Sequence, residues 1–350
     1  MLKIKLVDLG LVRSELGVKR FEKTILSLIA GSCLALFIVA ADRSQGTIYT
    51  SPEAIFVEPA IASSIVPNNL SSQMNDNASN GHNHLTIKAL SKRFTLLDYD
   101  FDNILDEGAA VPRILIVNIP RDIRKIKTPA DRKAVFFKTI LPLVLEGNKH
   151  ILRDRKRLLR IRVEKATAGT VSVVDRLWLL ALSDSYDVDP ENVSEMLRRV
   201  DIIPPSIALA QAAEESGWGT SRFAIEGNAL FGQYTFETKY SLAPLYRDKG
   251  KDHNIRAFPS LLDAVRSYAH NLNTHKAYRK FRTMRENLRR RGYEVTGDKL
   301  VGGLTSYSER GHKYVQTIRL IMNSNRLKNL DKAKVQKDFI AMEPFQQTDP

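Results

Sequence analysis

Residues 208–219 read Ala208-Leu209-Ala210-Gln211-Ala212-Ala213-Glu214-Glu215-Ser216-Gly217-Trp218-Gly219. Pro204-Pro205 opens the segment and Gly217 closes it, as expected of a helix entered through proline and stopped by glycine. Its body is built of small side chains, so neighbouring elements can approach the backbone closely. On such a helix Glu215 shares a face with Gln211 and Ala212, while Glu214 is turned about 100° away. Only one of the pair is therefore expected to face a cleft. A carboxyl group packed among alanines loses hydration and its pKa rises. That is what a general acid needs to protonate a glycosidic oxygen near neutral pH. From spacing alone two accounts stay open: one cleft-facing acid, or two solvent-facing glutamates acting as caps or ion-pair partners.

Downstream the pattern changes. Between Leu230 and Phe258, residues Phe231, Tyr234, Phe236, Tyr240, Leu245, Tyr246 and Ile255 are strand formers broken by Gly232, Pro244 and Gly250. This predicts a small antiparallel hairpin or sheet. Helical spacing resumes over residues 259–275, 278–290, 296–304 and 312–327. Upstream, helices are predicted over 171–186 and 190–200. An earlier helix starts at Thr128-Pro129-Ala130-Asp131 and should be kinked by Pro142. Residues 149–165 read as a strongly basic helix with Ile151, Leu158, Leu159 and Ile161 as its apolar minority. Residues 114–119 (ILIVNI) read as a short β run or extended segment ending at Pro120. The sum is an α+β chain, mostly helical with one small β insertion.

The N-terminal third has a different character. Residues 25–41 are uncharged and follow Lys19, Arg20 and Lys23, which makes a signal anchor or a signal peptide ending near Val39-Ala40-Ala41. Residues 1–24 are its basic cytoplasmic leader, and 42–90 form a polar linker without periodicity. Beyond it, 91–190 read as a helical accessory region, 191–328 as the catalytic domain and 329–350 as a tail. Cys33 is the only cysteine, so disulfides and cysteine-bound zinc are excluded from the body. The net charge of +14 favours anionic partners: nucleic acid, acidic lipid or an anionic wall polymer. Export to the periplasm argues against nucleic acid.

The stretch from Ile207 to Gly219, followed by Asn228-Ala229-Leu230-Phe231-Gly232, resembles the glucosaminidase domain of glycoside hydrolase family 73. That family has mannosyl-glycoprotein endo-beta-N-acetylglucosaminidase-like activity. A closer resemblance is to the Bax-like proteins of Gram-negative bacteria. It is carried by Arg199 to Pro204, Glu214 to Ser221, Asn271 to His275, Ala277-Tyr278, Phe281-Arg282 and Tyr307-Ser308. The resemblance covers roughly residues 125–327. It implies a lysozyme-like domain with a helical body and a β lobe, cleaving the β-1,4 bond after N-acetylglucosamine in peptidoglycan. The family's acid is the glutamate directly before Ser-Gly-Trp-Gly, here Glu215. Its late tyrosine falls on Tyr307. The usual continuation of that tyrosine motif is replaced here by Ser308-Glu309-Arg310-Gly311, which leaves a core or rim role open for Tyr307. Trp218, Gln211, Asn228, Phe231 and Tyr234 are the candidate substrate-binding residues.

A second carboxylate is expected in the β insertion, with Glu237 and Asp248 as candidates. A gap of about 5–5.5 Å from the acid gives retention and about 6.5–9.5 Å gives inversion. The histidines and aspartates lack metal-ligand spacing on one face, and Gly302-Gly303 is not followed by a phosphate-loop lysine. Neither a metal nor a cofactor is expected. The alternative to an enzyme is a non-catalytic peptidoglycan-binding scaffold that keeps the cleft.

Overall fold

The computed structural model describes residues 85–244 and 253–336. Helices α1 (Ile87–Leu96) and α2 (Phe101–Glu107) come first, then an extended run and a 3-10 turn, Arg121–Lys125. The helices α3 (Pro129–Ala168), α4 (Val173–Tyr186), α5 (Val193–Arg199), α6 (Pro205–Ser216) and α7 (Arg222–Gly227) follow. Strands β1 (Tyr234–Thr235), β2 (Ser241–Leu242) and β3 (Asn254–Arg256) form an antiparallel sheet in the order β1-β3-β2. Ile255 is opposite Tyr234 on one side and Leu242 on the other. The helices α8 (Leu261–Thr274), α9 (Arg279–Arg290), α10 (Gly297–Leu300) and α11 (His312–Ser324) lead to a last 3-10 segment, Leu327–Lys332. The protein is thus mostly helical with one small antiparallel sheet.

Everything is arranged around α6, in which every residue from Pro205 to Ala213 is buried. A helix without a polar face has to be enclosed, and α3, α11 and the last 3-10 segment pack against it. Its N-terminus is satisfied from far along the chain. The Asp331 carboxylate accepts the Ser206 N–H at 2.9 Å, the Ser206 hydroxyl at 3.0 Å and the Gly297 N–H at 2.7 Å. Amphipathic helices supply the surrounding wall: α8 buries Leu261, Val265, Tyr268 and Leu272, and α11 buries Tyr314, Val315, Ile318 and Met322.

Several expectations are resolved or corrected here. Of the two readings of residues 114–119 the extended one holds, since the run pairs with no strand and buries Ile114, Ile116 and Ile119. Arg113 ties this run to α3 through a bidentate bond to Glu146 at 2.9 and 2.6 Å. The helix runs unbroken through Pro142, so the basic stretch 149–165 is the far half of a single 40-residue helix. Proline removes one helical hydrogen bond, but Ile140, Leu141, Leu143 and Val144 around it are fully buried, and the helix continues past it.

The division at residue 190 is not a packing boundary. Leu90, Phe101, Ile123, Phe137 and Leu141 share one core with Ile207, Tyr268 and Ile318. A second core joins Leu158 and Ile161 of the far half of α3 to Leu182 and Met196 on α4 and α5. Helix α1 begins inside the stretch assigned to the linker, and Asp331 and Val335 in the assigned tail are part of the fold, Val335 bridging to Val111. Residues 25–41 lie outside the described residues. Among those described, no helix is long and apolar enough to cross a membrane.

Candidate active site

Helix α6 ends at Gly217, whose N–H bonds to the Ala213 carbonyl. Gly217, Trp218 and Gly219 have φ of 56°, 59° and 76°, three successive left-handed residues that reverse the chain. The Ser216 hydroxyl pins the turn by donating to the Ala212 carbonyl at 2.6 Å and accepting the Gly219 N–H at 2.9 Å. A Cβ on Gly219 would lie 3.0 Å from Ile119 and 3.2 Å from Phe136, so the close approach requires glycine. Trp218 bears a left-handed cost of roughly 1–2 kcal/mol, and its ring is anchored by packing. It meets Phe137 at 5.4 Å and Phe136 at 6.0 Å, with the Lys133 ammonium 4.8 Å from the ring. This turn packs Trp218 onto α3, which fits a structural role for the ring beside the acid rather than a sugar contact.

Glu215, in the last turn of α6, lines an open cleft of about 1550 Å³. Its Oε1 accepts the Tyr314 hydroxyl at 2.8 Å. Tyr314 accepts from Gln211 Nε2 at 2.8 Å, and Gln211 Oε1 accepts the Tyr268 hydroxyl at 2.7 Å. Every donor in this chain points towards the carboxylate, and such chains polarise cooperatively. Gln211 is fully buried, so it holds Tyr314 in place rather than touching a ligand. Tyr268 is fixed in turn by stacking on Phe231, with ring centres 3.8 Å apart and planes at 8°.

Burial pushes the Glu215 carboxyl above the ordinary range; the Tyr314 bond opposes this, and the charge of Glu214 adds to it. Burial, then the charge of Glu215, pushes Tyr314 up, so its hydroxyl remains a donor. Glu214 points elsewhere and is paired with Arg310 at 2.7 Å. Of the two open accounts, one glutamate follows each: Glu215 faces the cleft and Glu214 is an ion-pair partner.

The other candidates separate on the same grounds. Tyr307 lines the cleft, stacks on Tyr314 at 5.4 Å and donates to the Phe231 carbonyl at 3.4 Å. Phe231 and the exposed Tyr234 line the cleft as well. Asn228 is buried in a left-handed turn and bonds Asn118 and the Phe258 carbonyl, which makes it a strut beneath the β lobe. Glu237 is exposed in the β1–β2 turn and does not line the cleft. Asp248 lies outside the described residues.

The carboxylates that do share the cleft with Glu215 are Asp187, Glu195 and Glu309. Glu195 is engaged by Arg198 and Arg199, each at 3.0 Å. Sequence reading missed Glu309 and Tyr314. The signal for Tyr314 was present, since a tyrosine on the apolar stripe of α11 must find a partner for its hydroxyl. Among the described residues no group of three or more histidine, cysteine or acidic side chains stands ready for a metal.

The glucosaminidase profile, described as mannosyl-glycoprotein endo-beta-N-acetylglucosaminidase, matches residues 191–327. Protein bax of Escherichia coli (strain K12) is 35% identical over 201 residues, 55% of this chain and 69% of that protein. The chain belongs to the glucosaminidase family. Among solved structures, the catalytic domain of the autolysin Auto from Listeria monocytogenes is similar at 18% identity with a TM-score of 0.30. That match covers 49% of this chain and 97% of the autolysin domain. The glucosaminidase segment holds Glu215, Tyr307 and Tyr314, and it makes this chain a glycoside hydrolase. Its packing partners extend upstream of the matched segment, because Phe136 and Phe137 on α3 carry the turn that follows Glu215.

Proposed function

We propose that the chain is an endo-beta-N-acetylglucosaminidase that cleaves the β-1,4 bond after N-acetylglucosamine in peptidoglycan, with Glu215 as the general acid. One observation carries the reading. A carboxylate is desolvated on the wall of an open cleft, its direct donor is the neutral Tyr314 hydroxyl, and the nearby Arg310 cation is paired with Glu214 and opposes the effect of burial without cancelling it. A cation bonded directly would hold Glu215 ionised; burial instead raises its pKa despite the Tyr314 bond, the direction a general acid requires. Glu215 then protonates the leaving oxygen as water attacks the sugar carbon.

Tyr307 lies over the acid's tyrosine partner and positions the sugar or the water. Glu309, on the same rim, replaces Glu237 as the candidate for the second carboxylate. The cleft exceeds the roughly 300–1,000 Å³ of small-molecule pockets, which suits a polymer segment, and a lysozyme-like division into helical body and β lobe fits the same use. Residues 25–41 would hold the enzyme to the inner membrane, with the catalytic domain in the periplasm. The basic net charge of +14 favours an anionic wall.

The test is digestion of purified peptidoglycan by the full chain, with the new reducing ends identified. N-acetylglucosamine ends are expected. N-acetylmuramic acid ends would overturn the bond assignment, and intact strands that still bind the protein would make it a scaffold.

A further inference from the structure

The cleft continues beyond Glu215 along a row of rings. Tyr314 stacks on Tyr307, Tyr307 meets Tyr278 at 5.8 Å, and Tyr278 meets His275 at 5.8 Å. At the far end lies Arg282 on α9. Its Nη1 donates to the Leu272 carbonyl at 3.0 Å and to the His275 carbonyl at 2.8 Å. The side chain is only 2% exposed, yet it lines the cleft.

Its Nε–H is buried with no hydrogen-bond partner. Glu195 is the acid whose charge Arg282 feels, but that carboxylate is taken by Arg198 and Arg199. Burial, reinforced by the charge of Arg199, lowers the Arg282 pKa to about 10, so it remains a cation at neutral pH. A desolvated cation without an acid is costly, and so is a buried donor left unpaired. An anionic ligand removes both costs at once.

Exposed Lys276 and Arg279 stand at the same end. Around the whole cleft, seven lysine and arginine side chains face four carboxylates. A neutral glycan has no use for this excess. Peptidoglycan strands, however, carry short acidic peptides on every second sugar.

We propose that the basic end of the cleft is a subsite for the carboxylates of the wall peptide, with Arg282 as its buried anchor and Lys276 and Arg279 as its rim. The choice of peptide rests on the peptidoglycan reading above. The Nε–H edge of Arg282 offers the peptide carboxylate a charge-assisted bond, and the ring row keeps the sugar chain on the acid. The enzyme would then prefer strands that still bear peptides over stripped ones.

The experiment titrates the full chain carrying Glu215→Gln with the free tripeptide L-alanyl-γ-D-glutamyl-diaminopimelate, followed calorimetrically. Because the protein used is inactive, the result does not depend on whether glycan is cut. Binding is expected, about tenfold weaker for the Lys276→Gln/Arg279→Gln double variant and for the tripeptide with amidated carboxylates. Binding of an N-acetylglucosamine tetramer should be unchanged by the same rim substitutions. Arg282→Lys, checked for folding by circular dichroism, should weaken the tripeptide at least as much. If that variant does not fold, the exposed rim pair decides alone. No binding, or equal binding of free and amidated tripeptide, would overturn the subsite. So would tighter binding of inorganic phosphate than of the tripeptide.

Discussion

At one end of the cleft a glutamate is buried beside tyrosines, and at the other an arginine is buried beside backbone carbonyls. The device is the same and the outcomes are opposite. Desolvation disfavours charge at both ends. For Glu215, whose ordinary pKa lies a few units below neutrality, this moves the proton towards the working range. For Arg282, which starts far above neutrality, a pKa lowered to about 10 still leaves a permanent cation. On the proposed reading, burial thus serves a proton donor at one end and an anion receptor at the other.

Arg285, one turn along α9, is buried too and its Nε–H is likewise unpaired, but it does not line the cleft and it serves the fold. Its guanidinium donates to the carbonyls of Arg198, Arg199, Asp201 and Ile202, and the Asp201 carboxylate lies 3.9 Å away. The largest expected effect breaks or confirms this distinction. Arg285→Met should cost about 3–5 kcal/mol of stability, because it removes four charge-assisted bonds to backbone carbonyls at once, while Asp201 keeps Arg289 at 2.8 Å. Arg282→Met should cost clearly less in the same denaturant titration, and equal losses would erase the difference between the two arginines.

The acid end is sharpened by Tyr314→Phe. Losing the hydroxyl removes the bond that favours the charged form of Glu215, so the carboxyl pKa should rise further. A general acid works only while protonated, so the alkaline limb of the rate profile should move up, by about one pH unit. A limb that moves down would contradict the relay. Glu214→Gln should change the turnover number at the optimum less than about twofold, since its surface pair with Arg310 is worth little. It should also move the alkaline limb down, because the charge that raises the Glu215 pKa is gone.

The smallest effect is on stability. The folded pKa of Glu215 is raised, so the folded state binds its proton more tightly than the unfolded chain does. This site therefore costs stability once pH exceeds the unfolded value, and Glu215→Gln should melt above wild type at pH 7. The gap should close below about pH 4, where both states are protonated.

Much of this was legible in the sequence. The small-residue helix, its glycine stop and the rotation of Glu214 away from Glu215 follow from helical geometry. Aromatic and β-branched residues broken by glycine and proline sufficed to place the small sheet. The family motif, rather than spacing, chose Glu215. What local pattern could not reach is the meeting of distant elements. The relay joins α6, α8 and α11, and the basic end joins α5, α8 and α9. The packing of Trp218 on α3 was not legible because its orientation depends on a positive φ, which a tryptophan does not advertise. Pro142 did not break α3 because core packing outweighed one lost hydrogen bond. Gln211 was read as a ligand contact from its face, yet that face is covered by Tyr268 and Tyr314.

The most direct test compares release of glycan from purified peptidoglycan by wild type and by Glu215→Gln under identical conditions. Removing the proton donor while keeping the shape should lower the turnover number by about 10²–10⁴-fold and leave strand binding intact. Turnover within a few-fold of wild type would show that Glu215 is not the acid and would contradict the account.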